Sequence, residues 1–248
     1  MAGSFIHTLA VTDVATGWVE AVPLPARDQR LVAEALGVIA GRLPVPLPGI
    51  DSDNNNAFIS QALIGYCRGR GIQVTRSRAY RSNDQAYIEQ KNGAVVCGFA
   101  GHERFAGPIA GQALARLFTL VGFYTNCFQP SAKLLSRERD GSRLAKRYDQ
   151  PKTPRRRMLE HPAVPARAKE ELRDRCAALD PLALLARVRR TQSALAALAS
   201  PQERSQVQKG DLAQFLARPS TSGGTAKPIR FGGTNGIVPD GGGPAGTR

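Results

Sequence analysis

Short apolar runs alternate with stretches of helical periodicity through the first half of the chain. Residues 4–12 (SFIHTLAVT) are β-branched and apolar and predict a strand. A turn at Ala15-Thr16-Gly17 leads to a second strand over 18–22, stopped by Pro23 and Pro25, so this region predicts a hairpin. Leu31, Val32, Ala35, Leu36, Val38 and Ile39 recur at helical spacing between 27 and 42, and Pro44, Pro46 and Pro48 end that helix. A short strand over 47–50 opens into a polar loop, 51–56. A helix over 57–69 follows, closed by Gly69 and Gly71 where a helix C-terminus favours glycine. Residues 72–75 predict a strand, 76–83 a polar, basic loop, 84–96 a well-capped helix and 109–125 an apolar helix. Strands interleaved with helices in this order are a mixed α/β pattern.

The character changes after residue 129. Residues 130–157 hold ten basic side chains against three acidic ones. This stretch predicts an extended arm that follows phosphates, with a solvated linker as the bland alternative. Two helices are predicted over 166–179 and 181–198, with Pro181 at a helix start. Residues 219–248 contain nine glycines and four prolines, a composition too poor in apolar side chains to bury a core. The expected organisation is a core over 1–128, a basic connector over 129–157, a helical extension over 158–200 and a disordered Gly/Pro-rich tail over 201–248. There is no internal repeat.

Charge narrows the partners. Thirty-four Lys and Arg against twenty Asp and Glu give +14, and a surplus of that sign suits a polyanion, most simply nucleic acid. Cys67, Cys97, Cys127 and Cys176 form no CxxC pair, and His7, His102 and His161 are scattered, so zinc spacing is absent. The cysteines are expected to be buried thiols in a reducing cytosol. No signal-peptide pattern and no bilayer-length apolar run occur, so a cytoplasmic protein without membrane contact is expected.

Two acids stand out by position. Asp53 follows a predicted strand and Glu89 lies on a predicted helix. Carboxylates brought together from separate elements are what a hard Mg²⁺ site requires, and two such ions can clamp the attacking and leaving oxygens of a phosphoryl transfer. Taken alone the pair is weak, since most acids are solvated surface charges. Asp51 is a poorer ligand candidate and more naturally supports its loop. Asp51, Asp53 and Asn55 imitate the start of an EF-hand, but Asn56 replaces its glycine and Ala62 its bidentate glutamate. No Ser-His-Asp or Cys-His arrangement is evident, His102 beside Glu103 reads as a surface pair, and the glycines of 98–111 make no phosphate loop. Trp18 is expected to pack against the sheet.

The words around the two acids carry a resemblance. TLAVTDVATGW (8–18), DSDN (51–54), NDQAYIEQKN (83–92), FQPS (128–131) and YDQPKTP (148–154) resemble the DDE transposases and retroviral-type integrases, particularly integrase-core transposases of bacterial insertion sequences. The likeness runs from about His7 to Leu198. It implies an α/β, ribonuclease-H-like mixed sheet flanked by helices and followed by a helical C-terminal extension. It implies DNA integration and transposition by phosphodiester cleavage and strand transfer, with two Mg²⁺ or Mn²⁺ ions as cofactor. Asp53 and Glu89 become the second and third metal-ligating, catalytic acids. Arg76, Arg78, Arg81, Lys91, Asn92, Lys133, Arg137, Lys146, Arg147 and Lys152 become DNA contacts that position a duplex without reading it. The implied partners are transposon-end and target DNA and further copies of the chain assembled on DNA, with no small-molecule substrate.

The resemblance also shows departures. The family's first acid lies on a strand preceding residues 4–12, and that strand is expected to be lacking. Asp13 is a stand-in, more simply read as the cap of the Ala15-Thr16-Gly17 turn. Asn55 and Ala57 replace the usual glycine and acid. Without a central first strand the sheet is expected to be split or rearranged, with exposed edges. The alternative function is therefore a catalytically inactive transposase remnant that only binds DNA.

Overall fold

The computed structural model describes residues 5–52, 61–76, 92–140 and 143–199, together with Leu212 and Leu216. Strands β1 (His7–Thr12) and β2 (Val19–Leu24) form an antiparallel pair, with His7 opposite Leu24 and Thr12 opposite Val19. Helix α1 (Gln29–Ala40) follows, its first turn capped by the Asp28 side chain, which accepts from Arg30 N–H. Strand β3 (Gly49–Ser52), helix α2 (Gln61–Arg68) and strand β4 (Gln73–Arg76) form a unit in which β3 and β4 are parallel. A π-helical segment, Asn92–Cys97, runs into one α-helical turn, Gly98–Ala100. The long helix α3 (Gly107–Phe128) comes next, then strands β5 (Leu134–Asp140) and β6 (Arg143–Tyr148), and helices α4 (Pro154–Glu160), α5 (Ala166–Ala177) and α6 (Pro181–Ala196).

The described strands form three separate two-stranded sheets, β1–β2, β3–β4 and β5–β6, with no ladder joining one pair to another. Strand β2 is buried along its whole length because both faces are covered. Val19 and Ala21 pack with Leu117 and Val121 of α3 and with Leu184 and Val188 of α6. Val22 and Leu24 face the other way, against Leu36 and Ile39 of α1 and Leu63 and Cys67 of α2. A third cluster gathers Trp18, Cys127, Met158, Leu172 and Cys176, so the indole lies under α4 and α5 instead of against the sheet. Its Nε1 donates to Glu20 Oε1 at 3.0 Å.

The structure changes or adds to the sequence reading at several points. Strand β2 runs through Pro23, which was expected to stop it. Pro23 lies opposite Thr8, and the alternation fixed by Asp13 N–H donating to Trp18 C=O puts that pair at a position where neither residue bonds across the ladder. The missing proline N–H therefore falls on the outer edge and costs no ladder bond. The basic stretch is folded: Arg137 lies opposite Lys146 in the β5–β6 hairpin, and Thr153 caps α4 through Arg156 N–H. Helices α5 and α6 bury their apolar positions in different clusters, α5 around Trp18 and α6 against α3. Cys127 and Cys176 are joined as a disulfide between α3 and α5, leaving Cys67 and Cys97 as thiols, so the expectation of four thiols fails. The region read as a tail also contributes Leu212, which is buried in the α1–α2 cluster; the other residues of 200–248, Leu216 excepted, lie outside the described ones.

Candidate functional site

Strands β3 and β4 run parallel, so their C-terminal ends, Ser52 and Arg76, lie at the same side of the pair. In chain order Asp53 is the residue after β3, Arg78 and Arg81 follow β4, and Glu89 and Lys91 precede the π-helical segment. Asp53, Glu89, Arg78, Arg81 and Lys91 lie outside the described residues; Arg76 and Asn92 are described in their backbone only. Asp51 is described, and its Oδ1 accepts from Thr75 Oγ1 at 2.8 Å, tying β3 to β4. That contact agrees with a loop-supporting role for Asp51.

Asp13 sits at the end of β1, and its carboxylate holds the following turn. Oδ1 accepts from Ala15 N–H at 3.2 Å, Oδ2 accepts from Thr16 N–H at 3.0 Å, and the Thr16 hydroxyl also donates to Oδ2. Gly17 completes the turn with φ near 80°, in the left-handed region that glycine adopts without strain. Both carboxylate oxygens are thus engaged locally, the arrangement of an Asx-type cap. Among the described residues no group of three His, Cys, Asp or Glu side chains converges on a metal-sized space.

The connector cations divide into two groups. Lys133 is partly buried; its Nζ donates to Val14 C=O at 2.6 Å and also to Ala15 C=O, clamping the β1–β2 turn. Burial, then the neighbouring Arg157, pushes the Lys133 ammonium below its ordinary range, while Asp13 and Asp149 oppose that shift. Arg157 grips Asp149 with both terminal nitrogens, at 2.5 and 3.2 Å, and donates to Ser131 C=O at 2.7 Å. The Arg157 hydrogen bonds hold the Asp149 carboxyl below the usual carboxylate range. Lys152 pairs with Glu160 at 2.6 Å, and Arg156 reaches the other oxygen of the same carboxylate at 2.9 Å. Lys146 and Arg147 are different: both lie exposed on β6, where the register sets Lys146 opposite residue 137. Of the sequence-predicted DNA contacts with described side chains, Lys133 and Lys152 hold the fold together, and Lys146 and Arg147 are presented outward.

Sequence reasoning led to the expectation of a split or rearranged sheet but located no cavity; one lies between the two N-terminal sheets. A cavity of about 580 Å³ runs along β1 from Thr8 to Val14 and along 47–52, and is floored by Val32, Leu36 and Leu63. The signal was present in Thr8, Ala10 and Thr12, small residues alternating with larger apolar ones, but a strand's second edge cannot be assigned from its own sequence.

No family model matches the chain. It is similar to an uncharacterized protein, y4rM, of Sinorhizobium fredii, with 49% identity over 152 residues, 61% of this chain and 43% of that protein. It is also similar to the Pro-Pol polyprotein of feline foamy virus, 29% identical over 91 residues, 37% of this chain and 8% of the polyprotein. The Pol polyprotein of feline endogenous virus ECE1 is 34% identical over 90 residues, 36% of this chain and 8% of the polyprotein. The chain therefore spans less than half the length of these relatives.

Proposed function

We propose that the chain carries an integrase-like core whose chemistry is metal-dependent cleavage and strand transfer of DNA, on a ribonuclease-H-like scaffold. The partial likeness to viral Pol polyproteins carries this reading, because it supports an integrase-like domain. In this reading Asp53 and Glu89 would hold divalent cations, Mg²⁺ or Mn²⁺, which supply Lewis-acid stabilisation of a phosphodiester under attack by water or a 3′-hydroxyl. Lys146 and Arg147, outward on β6, would contact backbone phosphates and so fix the duplex without selecting a sequence.

The geometry of Asp13 favours a second reading. The resemblance calls for an additional acid, and the stand-in spends its carboxylate on a turn. The chain would then be a catalytically inactive relative that only binds DNA. One experiment separates the two. The protein is mixed with a labelled duplex bearing a free 3′-hydroxyl, a supercoiled plasmid and Mg²⁺ or Mn²⁺, and DNA binding is followed in parallel by fluorescence anisotropy. Cation-dependent joining that is lost in Asp53→Asn and Glu89→Gln, with binding retained, is the expected result. Binding without joining selects the inactive reading, and the absence of both overturns the proposal.

A further inference from the structure

Side-chain packing, not a ladder, joins the two N-terminal sheets. Among the described strands, neither β1 nor β2 pairs with β3 or β4. The β3–α2–β4 unit meets the hairpin through one cluster, in which Leu9, Val22 and Leu24 pack with Leu36 and Ile39 of α1 and with Leu63 and Cys67 of α2. A contact of this kind is held by the apolar surface it covers. Leu212 belongs to the same cluster, only 2% exposed, and Leu216 packs against it partly buried.

These two leucines come from far along the chain. Helix α6 ends at Ala196, and Leu198 and Ala199 pack on the α3 side of β2. Leu212 and Leu216 lie on the α1–α2 side. Residues 200–211, SPQERSQVQKGD, hold one large apolar side chain, Val207. The steps from Ala199 to Leu212 reach at most about 45 Å. That exceeds the roughly 20 Å from one layer, through a sheet, to the layer on its other face, so one molecule can span the distance. Leu212 and Leu216 both have helical backbone, and residues four apart on a helix share one face. In the sequence Asp211 precedes them, Phe215 stands three positions after Leu212 and Pro219 follows. These are the start signal, apolar spacing and stop signal of a short amphipathic helix.

We infer that Leu212 and Leu216 anchor an intramolecular strap: the chain beyond α6 docks in cis on the α1–α2 face and fastens the β3–α2–β4 unit to the β1–β2 hairpin. The contact itself identifies the occupant, since the leucines buried against this face belong to the same chain. Apolar side chains at helical spacing are the anchors by which an amphipathic helix is held in an apolar groove. So short a helix is marginal in water, so docking is what keeps it formed. The polar stretch before it makes the segment a tethered ligand, presented at an effective concentration of about millimolar. The strap is therefore separable: it can leave while the hairpin, α3 and α6 stay packed in their own cluster. This inference stands on the packing and not on the proposed DNA chemistry.

The test uses the whole chain without DNA. In the native protein, methyl NMR should show contacts from Leu212 to Leu36 or Leu63, at the mass of one chain by light scattering. Leu212→Asp combined with Leu216→Asp sets two charges against the apolar face and should release the strap. Amide exchange at Leu36 and Leu63 should then quicken by roughly tenfold to a hundredfold, the worth of one buried leucine. Val19, whose side chain packs on the other face of β2, should change by less. A synthetic peptide of residues 206–218 should bind the double variant saturably and restore slow exchange. On the native protein it should bind at least about tenfold more weakly, because the cis segment already holds the face. Should the double variant fail to fold, Leu212→Ala replaces it in the same measurements. Four results would overturn the inference: no contact from Leu212 to α1 or α2 in the native protein, contacts seen only at a doubled mass, exchange unchanged in the folded variant, or equal binding of the peptide to native and variant chains.

Discussion

Replacing Asn126 by alanine isolates the cost of unpairing the outward backbone of β2 at Val19. The side chain is wholly buried and makes two hydrogen bonds to one residue, at 3.0 Å from Val19 N–H and 2.8 Å to Val19 C=O. Truncation leaves a buried donor and a buried acceptor without partners, each costing about 1–3 kcal/mol. The sum is about 2–6 kcal/mol, and at roughly 2–4 °C per kcal/mol for a chain of this size the melting temperature should fall by about 5–20 °C. Urea denaturation gives the value, with an unchanged slope showing that the same surface unfolds. Asn126→Asp sharpens the test. The carboxylate can still accept from Val19 N–H but faces Val19 C=O with a second acceptor, so it should be at least as destabilising as alanine at neutral pH and recover on acidification as the carboxyl gains a proton. If Asn126→Leu matched the native protein within about 0.5 kcal/mol, the amide would be a packing residue and its two hydrogen bonds to Val19 would add nothing to stability.

Other expectations follow from the same contacts. Reducing the Cys127–Cys176 bond, which spans 49 residues of sequence, should cost about 4 kcal/mol on the loop-entropy model; alkylation of four thiols in the native, unreduced protein would contradict the bond. Asp149→Asn should destabilise the connector by roughly 1 kcal/mol at neutral pH. Because the Asp149 carboxyl is held below its ordinary value, that difference should be full above about pH 4 and disappear as the pH falls through the folded value; a difference independent of pH would argue against the Arg157 pairing. Glu20 has the opposite sign. Burial raises its pKa against the opposing Trp18 hydrogen bond and the nearby Arg42 and Arg175 charges, so Glu20→Gln should stabilise at neutral pH and be without effect in acid, as followed by thermal melts across pH. If β6 follows phosphates, Lys146→Ala with Arg147→Ala should flatten the salt dependence of DNA binding by about two counterions, whereas Lys152→Ala should leave the slope unchanged.

The apolar stripe from Leu31 to Ile39 made α1 legible to within two or three residues, and the β-branched run ahead of Ala15-Thr16-Gly17 made the first hairpin legible too. Local pattern sufficed there because each element buries one well-marked face. It failed where the deciding partner is distant. Pro23 reads as a stop until its position opposite Thr8 is known. The β5 and β6 segments, LLSRERD and RLAKRY, show no apolar alternation because an exposed two-stranded ribbon has no face to bury. The disulfide joins helices separated by 49 residues, beyond any spacing rule. Asp53 and Glu89 are candidates through the words around them alone, and both lie outside the described residues.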